Sequence, residues 1–405
     1  MILENKNVVL GVTGGIAAYK AVDVCSKLVQ AEAVVDVIMT QAATHFITPL
    51  SFQTISKRPV AVDMFKLLQE ADMAHISLAK KADVLLIAPA TANTIAKLAH
   101  GLADNLLTST ALATTAPLVI APAMDADMWQ NEATQRNVHL LRERGATFVG
   151  PGHGRLASGR MGTGRLMGTQ DIVAALRKTL GRHGPLAGAH VTVTAGGTQE
   201  PLDPVRHLGN RSSGRMGYAL AEAARDYGAS VKLISAPTCL GDPYGVESLH
   251  VRTAAEMRDS VLEAFEETDI LIMAAAVADY RPKSAAEKKI KKEGGDLLLP
   301  LERTEDILAA VGERRSESDG KTVVGFAAET EDLLENARAK LRHKNLDLIA
   351  ANDVSASDSG FATETNRVTL LTSDGRTKAL PLMNKFQVAE HILDFVVEMR
   401  RQHDE

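Results

Sequence analysis

Two short glycine turns, each entered directly from an apolar run, constrain this chain more than any other feature. Residues 8–12 lead into Gly11-Val-Thr-Gly14-Gly15-Ile16, and residues 191–194 lead into Ala195-Gly196-Gly197-Thr198. A strand that ends in glycines, passing into a helix directly in the first case and through a long loop in the second, opens a parallel, helix-covered sheet. Glycine lets the backbone N–H groups at the helix start approach a phosphate closely. Two such openings predict two sheets, and 405 residues are enough for both.

The remaining pattern agrees. Strands are expected at 8–12, 34–39, 84–89, 118–122 and 146–149, with a helix over 14–29. Continuous apolar strands separated by helical stretches belong to parallel sheets covered on both faces. Residues 1–180 therefore read as a doubly wound, Rossmann-like α/β domain, and the helix breakers of 181–189 as a linker. From 190 to 405 the pattern restarts, with strands expected at 191–194, 231–235, 270–276, 322–326 and 346–350. Residues 367–372 and 377–382 flank Ser373-Asp374-Gly375-Arg376 as a hairpin, and 384–400 form an amphipathic helix.

Composition narrows the function. The 45 basic and 50 acidic side chains give a net charge of −5, so no excess of positive charge points to nucleic acid or an anionic membrane. No apolar run reaches the roughly 20 residues of a membrane span. Cys25 and Cys239 are too few for a disulfide framework or a four-cysteine zinc site. The opening MILENKNVVLGVTGG has no basic stretch leading into an apolar segment, which predicts a cytoplasmic protein.

The first glycine turn departs from the G-x-G-x-x-G spacing of dinucleotide sites. Further polar segments are expected at the same sheet edge: Pro89-Ala-Thr91-Ala-Asn93-Thr94, Asp104-Asn-Leu-Leu-Thr108-Ser109-Thr110, and Pro122-Ala-Met124-Asp125-Ala-Asp-Met128-Trp129. With GVTGGIAAYK and His75, these resemble the homo-oligomeric flavin-containing cysteine decarboxylases over nearly all of residues 5–175. The resemblance implies FMN held by Gly14, Gly15, Ile16, Thr40, Thr91, Asn93, Thr108, Ser109 and Met124, with His75 as acid/base group. In that chemistry, oxidation of the substrate thiol to a thioaldehyde lets the carbanion left by departing CO₂ delocalise onto sulfur. Two positions depart from the family pattern. Asp125 stands where the family has an asparagine that donates to the substrate carboxylate, so Asp125 must be protonated to do the same. Ser158 stands where phosphopantothenoylcysteine decarboxylases usually carry a cysteine that serves reduction of the ene-thiol; serine is a much poorer acid.

In the second half, TAGGTQEPLDPVR, NRSSGRMG, AAAVADYRP, KIKK, GFAAET and ANDV occur in order. The glycine, arginine and serine loop can wrap an anion. Asp279 can hold Mg²⁺ or a sugar hydroxyl, and the lysines of 288–292 can neutralise a triphosphate. These motifs resemble bacterial phosphopantothenate–cysteine ligase over 188 to about 370. The resemblance implies that CTP activates the carboxylate of 4′-phosphopantothenate as an acyl-cytidylate, which the amine of cysteine then attacks. Asn210 is implied in the acyl-cytidylate step and Lys289 in transition-state charge stabilisation. Ala274, Ala275, Asp279, Lys289, Glu305, Asp306, Ile307, Phe326, Lys340 and Lys344 are implied as CTP contacts, with Mg²⁺ at Asp279. The order of the halves is similar to that of the bifunctional coenzyme A biosynthesis enzymes. It implies a homo-oligomer with N-terminal trimers and C-terminal dimers, combined as a dodecamer. An active ligase carrying a flavin-bound but catalytically impaired first half is the alternative that Asp125 and Ser158 raise.

Overall fold

A computed structural model describes residues 2–64, 74–292, 297–315, 320–329, 333–353 and 363–404. Thr330 and Val354, the last residues of two of the motifs, lie outside them. The chain divides into two compact units, Met1–Gly181 and Arg182–Glu405.

In the first unit the described residues form a six-stranded parallel sheet. Its strands are β1 (Asn7–Val12), β2 (Val34–Met39), β3 (Val60–Ala61), β4 (Val84–Ala90), β5 (Leu118–Pro122) and β6 (Thr147–Phe148), in the order β3-β2-β1-β4-β5-β6. All seven residues of β4, VLLIAPA, are buried, as a central strand covered on both faces requires. One face packs Val9, Leu85, Ile87 and Ile120 against Leu78, Ile95, Val138 and Leu141 of three helices. The order in which successive strands are added reverses between β1 and β4, the place where open α/β sheets leave a crevice at their carboxyl edge.

The first helix begins later than its sequence predicts. It spans Ala18–Gln30, and its buried Ala18, Ala21, Val24, Cys25 and Leu28 recur at helical spacing. Gly14–Ala17 remain a turn, and no side chain caps the helix start. After β6, a two-stranded antiparallel hairpin, β7 (Gly152–Arg155) with β8 (Met161–Arg165), carries Ser158 between its strands.

The second unit repeats the order of the first and adds to it. Among the described residues its eight-stranded sheet runs Glu247–His250, Ser230–Ser235, His190–Ala195, Ile270–Met273, Thr322–Glu329, Leu348–Asp353, Val368–Thr372, Thr377–Ala379. The first six strands are parallel, and the last two join antiparallel as the expected hairpin. Alternate residues of Ile270–Met273 enter opposite cores. Ile270 and Ile272 pack toward helices Arg215–Asp226 and Lys385–Asp404; Leu271 and Met273 pack toward Ala254–Phe265 and Ile307–Arg314. Leu186, inside the stretch read as linker, is buried in the first of these cores.

Candidate functional site

In the first unit, the carboxyl ends of β1 and β4 are tied together by one hydroxyl. Buried Thr13 donates to the Pro89 carbonyl at 2.7 Å and accepts from the Thr91 N–H at 3.1 Å. Sequence reading passed over Thr13, although its place inside the glycine turn is the signal that finds it. The turn beside it offers a phosphate cradle. Among the described residues no hydrogen bond uses the N–H groups of Gly14, Gly15, Ile16 or Ala17. These donors stand at the start of a 13-residue helix, where partial positive charge collects. Ile16 is 61% exposed on the same turn, an apolar surface suited to a flat ring. A Cβ on Gly14 would lie 2.5 Å from the Ala42 Cβ, so glycine is required for the segment after β2 to pack there.

The other residues expected at FMN have mixed environments. Thr40 accepts from the Ala43 N–H at 3.3 Å, and Thr91 from the Thr94 N–H at 3.3 Å, so each hydroxyl caps its own helical segment. Thr108 is buried and belongs to a capping box with Asn105, its hydroxyl accepting from the Asn105 N–H at 3.3 Å. Ser109 donates to the Ala103 carbonyl at 3.3 Å. Asn93 is exposed, and His75 is half-buried in the first turn of helix Ala74–Lys81. Met124 packs against the core while its N–H donates to the Gly164 carbonyl at 2.9 Å.

That last contact seats the β7–β8 hairpin on the loop after β5. A Cβ on Gly164 would lie 2.2 Å from the Met124 carbonyl oxygen, so only glycine allows the approach. Two side-chain pairs complete it: Ser158 Oγ donates to Asp125 Oδ2 at 2.9 Å, and Arg160 pairs with Asp127 at 2.6 Å. The structure thus brings the two departures from the family pattern into direct contact. The neighbours of Asp125 favour its ionised form. The Asp127 N–H, the Ser158 hydroxyl and the charge of Arg160 hold its carboxyl below the usual range. The Asp127–Arg160 pair escaped sequence reading; opposite charges two residues beyond each member of the first pair were the available signal.

In the second unit the crevice is closed by backbone. Thr198 N–H donates to the Ala276 carbonyl at 3.2 Å, and Ala276 N–H to the Gly196 carbonyl at 2.8 Å. Ala275 and Ala278 donate to the Thr194 and Thr198 hydroxyls. Asn210 lies across this seam, its amide donating to the carbonyls of Ala276 and Val277 at 3.3 and 3.1 Å. Ala274 and Ala275 are half-buried at its rim, and Asp279 is exposed beyond it. The Asp279 carbonyl accepts from Thr304 at 3.0 Å, which brings Glu305 and Asp306 to the same edge.

Glu305 pairs with Arg258, and both line a cavity of about 190 Å³ with Arg281 and Glu302. Asp306 caps helix Ile307–Arg314 and pairs with Lys344 at 2.8 Å. Lys340 Nζ donates to the Phe326 carbonyl at 3.0 Å, joining two more predicted residues. Ile307 is only 3% exposed and its side chain belongs to the apolar core, so it can offer a ligand no more than its backbone. Arg206 is not a free anion fork: it chelates Asp203, at 3.0 Å through Nε and 2.5 Å through Nη2. Lys289 is exposed on the segment that Ile290 anchors to Asp203, and among the described residues no hydrogen bond or ion pair joins it to the other predicted residues. Among the described residues no three His, Cys, Asp or Glu groups converge as a metal cage.

Comparison with known proteins places both units. Residues 2–181 match the family described as Flavoprotein, and residues 186–399 match the DNA/pantothenate metabolism flavoprotein C-terminal domain. The Bacillus subtilis coenzyme A biosynthesis bifunctional protein CoaBC is 48% identical over the whole of both chains. Its Escherichia coli K12 counterpart is 43% identical over 98% of each. A solved C-terminal domain of a CoaBC protein aligns with 55% of this chain and 100% of its own, at 40% identity and a TM-score of 0.47. From end to end, the chain belongs to the coenzyme A biosynthesis bifunctional protein family, with a flavoprotein unit followed by a pantothenate-metabolism unit.

Proposed function

We propose that the second unit joins 4′-phosphopantothenate to cysteine through an acyl-cytidylate formed from CTP. The first unit then decarboxylates 4′-phosphopantothenoylcysteine to 4′-phosphopantetheine with FMN. Full-length similarity to the bifunctional family carries this reading, since both units are present in the family's order.

The flavin, when bound, supplies the thiol oxidation that makes loss of CO₂ feasible. The free amides of Gly14–Ala17 fit its phosphate and exposed Ile16 fits its ring, with Asn93 and Ser109 within the same sheet edge. His75 holds and moves a proton near the reacting cysteine moiety. The hairpin brings the Ser158 hydroxyl to Asp125 at the substrate end of the site.

In the second unit, Asn210 orients the acyl group from its seat on the Ala276 and Val277 carbonyls. Lys289, Lys340 and Lys344 offset triphosphate charge, and Phe326 contacts the base. Asp279 gives Mg²⁺ one carboxylate; the nucleotide phosphates and water complete its shell, as Mg²⁺ ordinarily requires. Working in the cytoplasm, the chain assembles as trimers through the first unit and dimers through the second, a dodecamer that light scattering would measure.

The Ser158–Asp125 bond favours a second reading. An ionised Asp125 accepts hydrogen bonds and repels a carboxylate, so the first unit binds flavin while turning over slowly or not at all. The test is FMN-loaded protein given 4′-phosphopantothenate, cysteine, CTP and Mg²⁺, followed by mass spectrometry. Pyrophosphate with 4′-phosphopantetheine over many turnovers supports the full reading. Accumulation of 4′-phosphopantothenoylcysteine supports the second, and no pyrophosphate from folded protein overturns both.

A further inference from the structure

Asp203 is a carboxylate that the proposed chemistry does not use, yet its side chain is wholly enclosed. It accepts five hydrogen bonds. The N–H groups of Val205 and Arg206 donate at 2.8 Å each, the Arg206 guanidinium at 3.0 and 2.5 Å, and the Ile290 N–H at 3.1 Å. Arg206 also donates to the Ile290 carbonyl at 2.9 Å, and Ala286 N–H donates to the Leu202 carbonyl at 2.9 Å. Both polar backbone groups of Ile290 are therefore held by a turn 87 residues earlier in the chain.

Ile290 is flanked by exposed Lys288, Lys289, Lys291 and Lys292. Four lysines around one anchor repel one another and would spread in water without it. A buried carboxylate is tolerated only when paired and hydrogen-bonded, and the Arg206 chelate with three N–H donors meets that condition. The same contacts hold its carboxyl far below the usual range, so the clamp stays charged at any working pH.

We propose that Asp203 is a positioning residue for the ligase reaction, clamping Ile290 so that Lys289 is presented to the triphosphate from a fixed point. The proposal rests on the ligase reading of the second unit. It requires Asp203 to act through Lys289 rather than on the substrate.

The test uses the full chain. Asp203→Asn should lower kcat for CTP-dependent pyrophosphate release by about 10–100-fold, the scale of a lost charged hydrogen-bond set, with KM for cysteine unchanged. In a Lys289→Ala background the same substitution should cost less than about twofold more, because the group it positions is already gone. Hydrogen exchange on the unmodified protein gives a readout independent of activity and of the variant's folding: the Ile290 amide should exchange far more slowly than those of Lys289 and Lys291. Additive losses in the double variant, or an Ile290 amide as labile as its neighbours, would overturn the proposal. A protected Ile290 amide in folded protein that releases no pyrophosphate would instead remove the ligase reading beneath it, so the two failures are distinguishable.

Discussion

Both units carry the same six-strand order, yet they treat the crevice between their central strands differently. In the first, a single threonine, Thr13, links the two strand ends, and the glycine turn stays open with its amides free. In the second, Gly196–Thr198 and Ala276 are hydrogen-bonded to each other and Asn210 lies on top. Under the proposed function one sheet topology would serve two binding modes: a phosphate held by backbone within the crevice, and a nucleotide held by side chains at its rim. The cations of the second unit stand on later elements, each with its own support. Lys340 rests on the Phe326 carbonyl, Lys344 on Asp306, and Lys289 on the Asp203 clamp.

If the rim of the second unit does chemistry that the first does not share, a single cation should separate the two activities. Lys289→Ala is expected to lower pyrophosphate release about 10²–10³-fold, the usual cost of removing one preorganised charge donor. Flavin content and decarboxylation of supplied 4′-phosphopantothenoylcysteine should remain unchanged. Parallel assays of the two half-reactions check this, and an equal loss in both would collapse the distinction.

Asp125→Asn tests the first unit in the opposite direction. Replacing an ionised acceptor with an amide that donates to the substrate carboxylate should raise decarboxylation about 10-fold or more. The pH dependence follows in sign. A carboxyl held below its ordinary value is ionised throughout pH 5–8, so acidification over that range should not speed the unmodified protein through Asp125. A rise on the acid side that disappears in the Asn variant would show instead that Asp125 takes up the proton.

Three glycines give smaller effects that divide by unit. A Cβ on Gly14 meets Ala42 at 2.5 Å, and one on Gly197 meets the Asn210 carbonyl oxygen at 2.8 Å. Each Gly→Ala change should cost about 1–3 kcal/mol through displaced neighbours, read by thermal unfolding. Gly14→Ala should also shed flavin, while Gly197→Ala should slow only the ligase. Gly15 sharpens the contrast, because a Cβ there meets nothing nearer than Thr91 at 3.7 Å. Gly15→Ala should leave stability intact and reduce only flavin absorbance. Full flavin occupancy in that variant would mean the phosphate does not sit on this turn.

The parts of this comparison that were legible in the sequence are those set by local pattern. Residues 34–39 and 118–122 form β2 and β5 to the residue, and the appended hairpin joins the sheet where Ser373–Arg376 turn the chain. Buried parallel strands declare themselves as continuous apolar runs, and such a hairpin declares its turn. The sequence starts the first helix too early because alanine and isoleucine fit a helix equally well whether or not the helix has started. What the sequence could not supply are contacts between distant residues. Asp203 stands three residues before Arg206 and could be paired with it by eye, but nothing near either shows that Ile290, 87 residues on, completes the site. Ser158 and Asp125 were each singled out as departures, but their hydrogen bond exists only because Gly164 lets the hairpin settle on Met124.

The two cysteines make the mildest test, since labelling changes little else. Cys25 lies in the apolar face of helix Ala18–Gln30, fully buried, and burial pushes its thiol up to about 11. A thiol so placed is protonated and shielded at neutral pH, so it should not react with an aromatic disulfide reagent until the first unit unfolds. Cys239 is exposed in the loop following strand Ser230–Ser235. Its neighbour Thr238 lies where Gly196 and Gly214 leave room, since a Cβ on either would meet the Thr238 methyl at 3.1 or 2.5 Å. One thiol should therefore react in the native chain and two after denaturation. Because the reactive one adjoins the closed turn of the second unit, CTP should slow its labelling and flavin should not. Protection by flavin alone would mean that the two sites are not separate in the way their crevices indicate.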